Sequence, residues 1–198
     1  MRHIAAVKHY PPNNSRVTMD QKSEAEIVAR VLRGDRQAYA MLVDAYKSPI
    51  YNLAYRMTGS SDDADDLTQE TFIRAYQYLW RYDMHRKFFT WLYTLALNLI
   101  RSHLRKKNKY NKSSEELSAH LLSDKNSSPE TDFIEKQEMG VYLLCLEEES
   151  RALLVMKYMQ ELSFEEITQI TGKSLSAVKM SVYRGLEKLK ELLTESRI

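Results

Sequence analysis

Apolar side chains recur every third or fourth residue through most of the chain, and this spacing constrains the fold more than any other feature. The repeat begins near Ser23 and continues, segment by segment, to Leu193. Such spacing is typical of amphipathic α-helices, whereas a half-buried strand alternates every second residue. Only five Gly and four Pro occur in 198 residues, so few positions disfavour helix. We therefore predict an all-α protein.

Helix-ending residues and a polar stretch interrupt this pattern and divide the chain into two small helical domains. Four helices are predicted in the first domain. The first ends at Gly34, the second ends at Gly59 with a kink at Pro49, and the third is capped by Ser60 or Ser61. We place this domain at residues 23–107. A second helical domain is predicted at residues 131–198.

The two remaining segments have a different composition. Residues 1–22 are rich in Pro, Asn and Ser and are predicted to form a disordered N-terminal extension. Residues 108–130 are polar and are predicted to form a flexible linker, with a transient helix at 117–122. The predicted architecture is two helical domains on a tether.

Composition and motifs disfavour several classes of protein. The five His residues are scattered, and no Gly-rich phosphate loop or nucleophile elbow occurs, so we predict no catalytic residues, no metal and no cofactor. The lone Cys145 is predicted to be a small buried hydrophobe. No apolar run approaches the roughly 20 residues of a membrane span, and the N-terminal apolar stretch is too short for a signal peptide. These features predict a cytoplasmic protein.

The C-terminal helix pair carries the clearest local signal. Ser163 and Glu166 have the spacing of a capping box, and Gly172 supplies a tight turn before a new helix capped by Ser174 or Ser176. Two helices across a short Gly turn fit a helix-turn-helix. Its second helix has an outward face formed by Ser176, Lys179, Met180, Tyr183 and Glu187, with Arg184 at its edge. The polar and basic groups in its first turns suit contacts with bases and phosphates. An ordinary helical hairpin with a solvated basic face is the alternative.

The predicted helix from Phe88 to Lys107 combines aromatic, amide and guanidinium groups on one side. That side contains Trp91, Thr94, Asn98, Arg101, Ser102 and Arg105, and an aromatic and basic loop from Trp80 to Lys87 precedes it. An exposed ring can stack on an unpaired base, while cations hold the phosphates of single-stranded DNA. The alternative is that Trp91 and Phe88 belong to the core and that the basic run 105–112 is a solvated tail.

Acidic residues open the predicted third helix, between Asp62 and Glu70. The spacing lacks the central Gly and the closing Glu of a calcium loop. We interpret the segment as a capped helix with an acidic outer face, which complements the helix dipole and suits a basic partner surface.

Taken in order, these segments resemble the extracytoplasmic-function sigma factors of the sigma-70 family. The resemblance covers residues 23–193 and is carried in region two by LRGDRQAY (32–39), YNLAYRMTG (51–59), DADDLTQETFIRAY (63–76) and RKFFTWLY (86–93). In region four it is carried by residues 151–158, LSFEEI (162–167) and AVK (177–179).

The resemblance implies roles that composition does not show. It implies that the polymerase β′ clamp helices dock on Asp65, Asp66, Gln69 and Glu70. It implies that the melted −10 element is held by Trp80, Arg86, Lys87, Trp91, Asn98, Arg101, Arg105 and Lys106. It implies that the −35 element is recognised by Ser176, Lys179, Met180, Tyr183 and Arg184.

The same resemblance implies the partners. They are core RNA polymerase, through its β′ and β subunits, promoter DNA, and an anti-sigma factor, in this family often membrane-anchored; no small-molecule substrate is expected. Ser102 and Met180-Ser181 depart from residues common in the family, which bears on base preference. The competing class is a helix-turn-helix regulator that binds duplex DNA as a dimer without polymerase.

Overall fold

The protein is described here by a computed structural model that covers residues 19–111 and 139–195. Within these two ranges the secondary structure is helical and contains no strand. The helices are α1 (Gln21–Leu32), α2 (Ala38–Thr58), α3 (Ser61–Gln77), α4 (Phe88–Asn111), α5 (Glu148–Leu154), α6 (Phe164–Thr171) and α7 (Leu175–Glu195). The prediction of an all-α protein is confirmed.

Helix α1 begins earlier than its apolar pattern indicates. The Asp20 carboxylate accepts hydrogen bonds from the backbone amides of Lys22 and Ser23, both at 3.0 Å, and so caps the helix. Met19 packs against the core. The prediction that residues 19–22 belong to a disordered extension is therefore wrong. The rest of the predicted extension, residues 1–18, lies outside the described residues.

Helix α2 runs through Pro49 and ends at Gly59, whose φ of +71° places it in the left-handed region. The carbonyl of Pro49 accepts a hydrogen bond from the Tyr93 hydroxyl at 3.2 Å. One face of α2 is buried throughout its length, with Leu42, Tyr46, Ile50, Leu53 and Met57 at the centre of the core. The apolar pattern predicts this helix over 36–57, which differs from the observed bounds by two residues at the start and one at the end.

Helix α3 is capped by the Ser60 hydroxyl, which accepts from the Asp63 amide at 3.2 Å, as predicted. The Asp63 side chain itself pairs with two residues of α4, Lys107 at 2.8 Å and His103 at 3.3 Å. Partial burial alone would raise the pKa of Asp63, but the Lys107 and His103 contacts outweigh it and hold the pKa below its ordinary value. Asp63 thus ties α3 to α4.

Helix α4 lies at the centre of the molecule. It packs on α2 and α3 on one side and on α6 on another, so its buried stripe is wider than a single amphipathic face. Phe88, Leu92, Tyr93, Ala96 and Ile100 have no exposed surface. The helix continues through residues 108–111, which were predicted to begin the linker. Residues 112–138, including the rest of the linker and its predicted transient helix, lie outside the described residues.

The C-terminal part opens with a helical segment, 139–144, whose predicted start at 131 also lies outside the described residues. Cys145 is exposed in the turn that follows, so the prediction that it is buried is wrong. The helical segment ends at residue 144, and the neighbours Leu143 and Leu146 fill the core instead. The apolar pattern predicts one helix over 148–159, but α5 ends at Leu154 and continues into a π-helical turn, Val155–Met159.

The helix pair α6 and α7 follows the predicted pattern. Ser163 and Glu166 form the complete capping box, with amide-to-side-chain distances of 3.0 and 3.1 Å. Gly172 ends α6 with a φ of +70°, and the Ser174 hydroxyl accepts from the Ala177 amide at 3.3 Å at the start of α7. The predicted helix–Gly–helix arrangement is confirmed.

Candidate nucleic-acid and polymerase interfaces

The residues predicted to dock on the polymerase lie together on the outer side of α3. Asp65, Asp66 and Gln69 are exposed, and Glu70 forms a 2.5 Å ion pair with Arg74 one turn further on. We call these four residues, Asp65, Asp66, Gln69 and Glu70, the acidic face of α3.

Two large apolar residues extend this face and were not singled out from the sequence. Ile73 is 52% exposed and Tyr76 is 41% exposed, on the turns that follow Gln69 and Glu70. In the sequence, Ile73 lies outside the apolar inner stripe of the helix, and this position could have indicated that its side chain is exposed. Exposed apolar groups beside charges are typical of surfaces that bind protein partners.

The loop before α4 holds an exposed ring among cations. Trp80 is 67% exposed, and the guanidinium of Arg81 lies 5.0 Å from the centre of its ring. Arg86 is exposed beside Asp83, at 3.7 Å. A ring in this position has an open edge and face for contact with a base, with positive charge beside it.

Trp91 lies deeper than Trp80. It is half-buried against the rings of Tyr82 and Phe88, with centroids 5.6 and 5.5 Å away. Phe88 has no exposed surface, so the alternative interpretation of this residue as core is correct. Burial raises the pKa of Tyr82, whose hydroxyl donates to the carbonyl of Arg86. This aromatic cluster fixes both the loop and the first turn of α4.

The remaining predicted residues continue along α4. Asn98 is exposed, and so are Arg105 and Lys106. Arg101 is half-buried and pairs with Glu148 of α5 at 3.4 Å. We call the set Trp80, Arg86, Lys87, Trp91, Asn98, Arg101, Arg105 and Lys106 the basic–aromatic face. The structure brings its members together along one loop and one helix.

A buried carboxylate supports this face and was not found from the sequence. Glu24 of α1 is 1% exposed. It accepts hydrogen bonds from the Phe88 backbone amide, at 2.9 Å, and from the Tyr46 hydroxyl. Burial, with the contact to Glu24 next in importance, raises the pKa of Tyr46. The surrounding sequence, a Glu in a first helical turn, is too common to indicate a buried cap for a distant helix.

Helix α7 presents its predicted polar face to solvent. Ser176, Lys179, Met180, Tyr183 and Arg184 are all exposed, and we call them the outer face of α7. Met180 and Tyr183 are 55% and 58% exposed and place apolar surface among these polar groups. The Lys179 ammonium lies 5.5 Å from the centre of the Phe164 ring of α6. The inner side of α7 is anchored by the buried Val178 and Val182.

The described residues were also searched for metal-binding groups and for membrane-spanning helices. Among them, no three His, Cys, Asp or Glu side chains are grouped so that they could hold a metal ion. No helix within 19–111 or 139–195 has both the length and the apolar character needed to cross a membrane.

Comparison with known families identifies both halves of the chain. Residues 42–110 match Sigma-70 region 2, and residues 136–189 match Sigma-70 region 4. The first match contains α3 and all but the last residue of α4, and the second contains α6 and most of α7. Between them they cover more than half of the chain.

Two relatives are matched along almost their whole lengths. The chain is 35% identical to the ECF RNA polymerase sigma factor SigW of Bacillus subtilis (strain 168) over 178 residues, covering 85% of this chain and 95% of SigW. It is 28% identical to the RNA polymerase sigma-H factor of Pseudomonas aeruginosa, covering 88% of this chain and 96% of that factor.

Solved structures share the fold. CnrH, solved in complex with the cytosolic domain of CnrY, superposes with a TM-score of 0.68 at 23% identity, covering 87% of this chain and 98% of CnrH. The sigma factor RpoE of Bartonella quintana, solved with the anti-sigma factor NepR, gives a TM-score of 0.65 at 21% identity, covering 79% of this chain and 96% of RpoE.

Proposed function

We propose that this chain, which belongs to the extracytoplasmic-function group of the sigma-70 family of transcription initiation factors, recognises promoters through two separate surfaces. As a member of this family it directs core RNA polymerase to promoters and is not an enzyme. The basic–aromatic face would hold the melted −10 element, and the outer face of α7 would recognise the −35 element. The observation that carries the proposal is the exposed Trp80 ring among cations in the loop before α4.

The chemistry of the basic–aromatic face suits single-stranded DNA. In a duplex the faces of the bases are covered by stacking, so an exposed ring gains most when a base is unpaired. Trp80 and Trp91 supply rings at two depths, and Asn98 supplies an amide that can both donate to and accept from a base edge. Arg105 and Lys106 continue the positive charge along α4, in position for the backbone phosphates.

The outer face of α7 suits duplex DNA. A recognition helix of a helix-turn-helix lies in the major groove with its N-terminal residues at the base edges. Ser176 and Lys179 lie in the first two turns of α7, and Arg184 lies further along, where a phosphate contact is expected. Met180 and Tyr183 offer apolar surface for a thymine methyl group.

The acidic face of α3 would dock on the β′ clamp helices of the polymerase. Carboxylates bring electrostatic complementarity to a basic partner, and Ile73 and Tyr76 add apolar surface that can be buried. The C-terminal domain would contact the β subunit. Within the N-terminal domain, this assignment separates polymerase binding, on α3, from DNA binding, on α4.

Control by an anti-sigma factor and a cytoplasmic location complete the proposal. Family membership supports both, since factors of this group act on cytoplasmic polymerase and are commonly held inactive by such proteins. Co-purification of the native protein, followed by identification of the bound protein, tests this part.

Run-off transcription distinguishes a sigma factor from a helix-turn-helix regulator that acts without polymerase. Core polymerase with this chain is expected to initiate from a cognate promoter, and core polymerase alone is not. A helix-turn-helix regulator that acts without polymerase would instead protect duplex DNA as a dimer and add no initiation. Failure to initiate from every promoter in a genome-wide template pool would contradict the proposal.

A further inference from the structure

Tyr82 is the one buried residue in the loop segment from Trp80 to Lys87. Every other residue of this segment is exposed, whereas Tyr82 is only 6% exposed. Its ring packs edge-on against the ring of Phe88, with the centroids 5.5 Å apart, and its centroid lies 5.6 Å from that of Trp91. A single buried side chain therefore attaches this part of the loop to α4.

Two consecutive turns of the backbone meet at Tyr82. In the first turn, which presents Trp80, the Tyr82 amide donates to the Leu79 carbonyl at 3.0 Å. In the second turn, the Arg86 amide donates to the Asp83 carbonyl at 3.0 Å. The Tyr82 hydroxyl reaches across the second turn and donates to the Arg86 carbonyl. Tyr82 therefore closes both turns, one through its backbone and the other through its side chain.

The carboxylate of Asp83 stabilises the second turn from within. One of its oxygens accepts from the His85 amide at 2.9 Å, and the other lies 3.7 Å from the Arg86 guanidinium. Asp is favoured at the first position of a β-turn because its short side chain can accept from the amide two residues later. The backbone of residues 83–86 is thus held by two side chains, the hydroxyl of Tyr82 and the carboxylate of Asp83.

The surroundings of the Tyr82 hydroxyl keep it protonated. Burial, followed by the charges of Glu24 and Asp83, raises the pKa of Tyr82 above its ordinary value of 10.0. The hydroxyl is therefore a hydrogen-bond donor at neutral pH. The Glu24 carboxylate also accepts from the Phe88 amide, at the point where the loop ends and α4 begins. The loop is consequently held both at its middle and at its end.

We propose that Tyr82 and Asp83 are positioning residues, which hold this loop in the conformation that receives an unpaired base of the −10 element. The inference rests on the proposed role of the basic–aromatic face in −10 binding. It extends that role to two residues that act on the loop backbone and not on the DNA. A flexible loop loses conformational entropy when it binds a ligand, and this loss weakens the affinity. A loop held by its own hydrogen bonds has already lost that entropy during folding.

The two residues should affect recognition of the base and leave attraction of the strand unchanged. Arg105 and Lys106, the proposed phosphate ligands on α4, are exposed and lie outside the loop. A variant with a loosened loop should therefore lose affinity gained from the base and keep affinity gained from the phosphates. A general loss of folded protein would instead weaken the binding of every oligonucleotide to the same extent.

Oligonucleotides with single missing bases separate these two contributions. The probes are fluorescein-labelled single strands with the non-template sequence of the −10 element, taken from a promoter that supports run-off transcription. In each probe of the series one nucleotide is replaced by an abasic site, which removes the base and keeps the phosphates. For each holoenzyme, the dissociation constant of the abasic probe divided by that of the intact probe gives the base ratio. With the parent chain we expect a base ratio of about ten or more at one position, the size of one base–aromatic stack.

Tyr82→Phe removes the hydroxyl and keeps the ring against Phe88 and Trp91. We expect its base ratio at that position to fall about three- to tenfold, with the affinity for the abasic probe within about twofold of the parent. The matched control is Tyr39→Phe, because the Tyr39 hydroxyl also donates to a backbone carbonyl, that of Phe72, at 2.7 Å. The control should keep the parental base ratio, although the loss of one hydrogen bond should lower the melting temperature of either variant by about 2–4 °C.

A second pair of variants tests the turn at Asp83. Asp83→Asn removes the negative charge and keeps an oxygen that can accept from the His85 amide, whereas Asp83→Ala removes both. We expect Asp83→Asn to keep the parental base ratio and Asp83→Ala to lower it about threefold or more. Equal reductions in the two variants would show that the charge beside Arg86 acts and the turn does not, which would overturn the role of Asp83.

Trp80→Ala distinguishes failure of this inference from failure of the proposed function. If Trp80→Ala lowers the base ratio while Tyr82→Phe and Asp83→Ala keep the parental value, the basic–aromatic face binds the base and the positioning inference alone is wrong. If no abasic replacement weakens binding of the parent, or if none of these three variants lowers the base ratio, the −10 assignment fails and the inference fails with it. A lower base ratio in Tyr82→Phe, with parental values in Tyr39→Phe and Asp83→Asn, is the result that supports the inference.

Discussion

The carboxylate of Glu24 accepts a hydrogen bond from the backbone amide of Phe88 at 2.9 Å, although 64 residues separate the two in the chain. Phe88 is the first residue of α4, so its amide has no partner within the helix. A negative charge at this end also complements the helix dipole. The first helix of the domain therefore fixes the start of the helix that carries the basic–aromatic face.

Removal of this carboxylate should destabilise the protein strongly. In Glu24→Ala the buried Phe88 amide and Tyr46 hydroxyl both lose their acceptor, and an unsatisfied buried group costs about 1–3 kcal/mol. We expect a loss of about 3 kcal/mol in the free energy of unfolding, measured by urea denaturation with circular dichroism. Glu26→Ala, an exposed change on the same helix, should cost less than about 0.5 kcal/mol. Similar losses in the two variants would contradict the role of Glu24.

The helix ends could be predicted because their signals are local. The capping box of Ser163 and Glu166 needs residues only three positions apart. Gly59 and Gly172 adopt left-handed conformations that favour glycine at a helix end. Glu24 and Arg151 gave no such signal, because their partners lie 64 and 94 residues away and are backbone groups of any residue type.

Exposure was harder to predict than helix type. The outer face of α7 and the acidic face of α3 follow directly from helical periodicity, since each packs on one side only. Helix α4 packs both on helices of its own domain and on α6 of the C-terminal domain, so a single amphipathic stripe does not predict which of its residues are buried. The burial of Cys145 was inferred from apolar neighbours, but a turn breaks the periodicity at that residue and exposes it. The packing of the two domains, through Lys87 and Arg101, has no counterpart in sequence spacing.

Asp63 should give the stability of the protein a pH dependence. Its pKa in the folded state is depressed, so its contribution is fully present above its unfolded value of about 3.9 and is lost as the pH falls through the folded value. Asp63→Asn should lower the free energy of unfolding by about 1 kcal/mol at pH 7. The loss should be smaller at pH 3, because that pH lies below the unfolded pKa and the contribution of the parent carboxylate is no longer fully present. Urea denaturation at both pH values measures the difference. A loss as large at pH 3 as at pH 7 would exclude an ionic role.

Polymerase docking should depend on the acidic face of α3. Asp66→Arg with Gln69→Ala places a positive charge where a carboxylate is proposed to meet a basic partner, and we expect at least about tenfold weaker binding to core polymerase in a pull-down titration. Asp44→Arg makes the same change in charge at an exposed position of α2 and should bind like the parent. Retention of the test variant equal to that of the control would refute this docking site.

Contacts of α7 with phosphates should be visible in the salt dependence of promoter binding. Loss of one phosphate contact is expected to reduce the slope of log K against log salt concentration by about 0.9. Arg184→Ala in the holoenzyme should show this reduction on a duplex containing the −35 element. Lys190→Ala, exposed further along the same helix, should leave the slope unchanged. An unchanged slope for Arg184→Ala would remove that residue from the phosphate contacts.

Permanganate reactivity of unpaired thymines in the −10 element tests most directly the claim that the two domains recognise different parts of the promoter. Holoenzymes containing the parent, Asn98→Ala or Lys179→Ala would be compared at concentrations that give equal promoter occupancy. We predict that Asn98→Ala lowers the reactivity severalfold at equal occupancy, whereas Lys179→Ala requires more holoenzyme for that occupancy but then gives the parental reactivity. Parental reactivity for Asn98→Ala at equal occupancy would contradict the account.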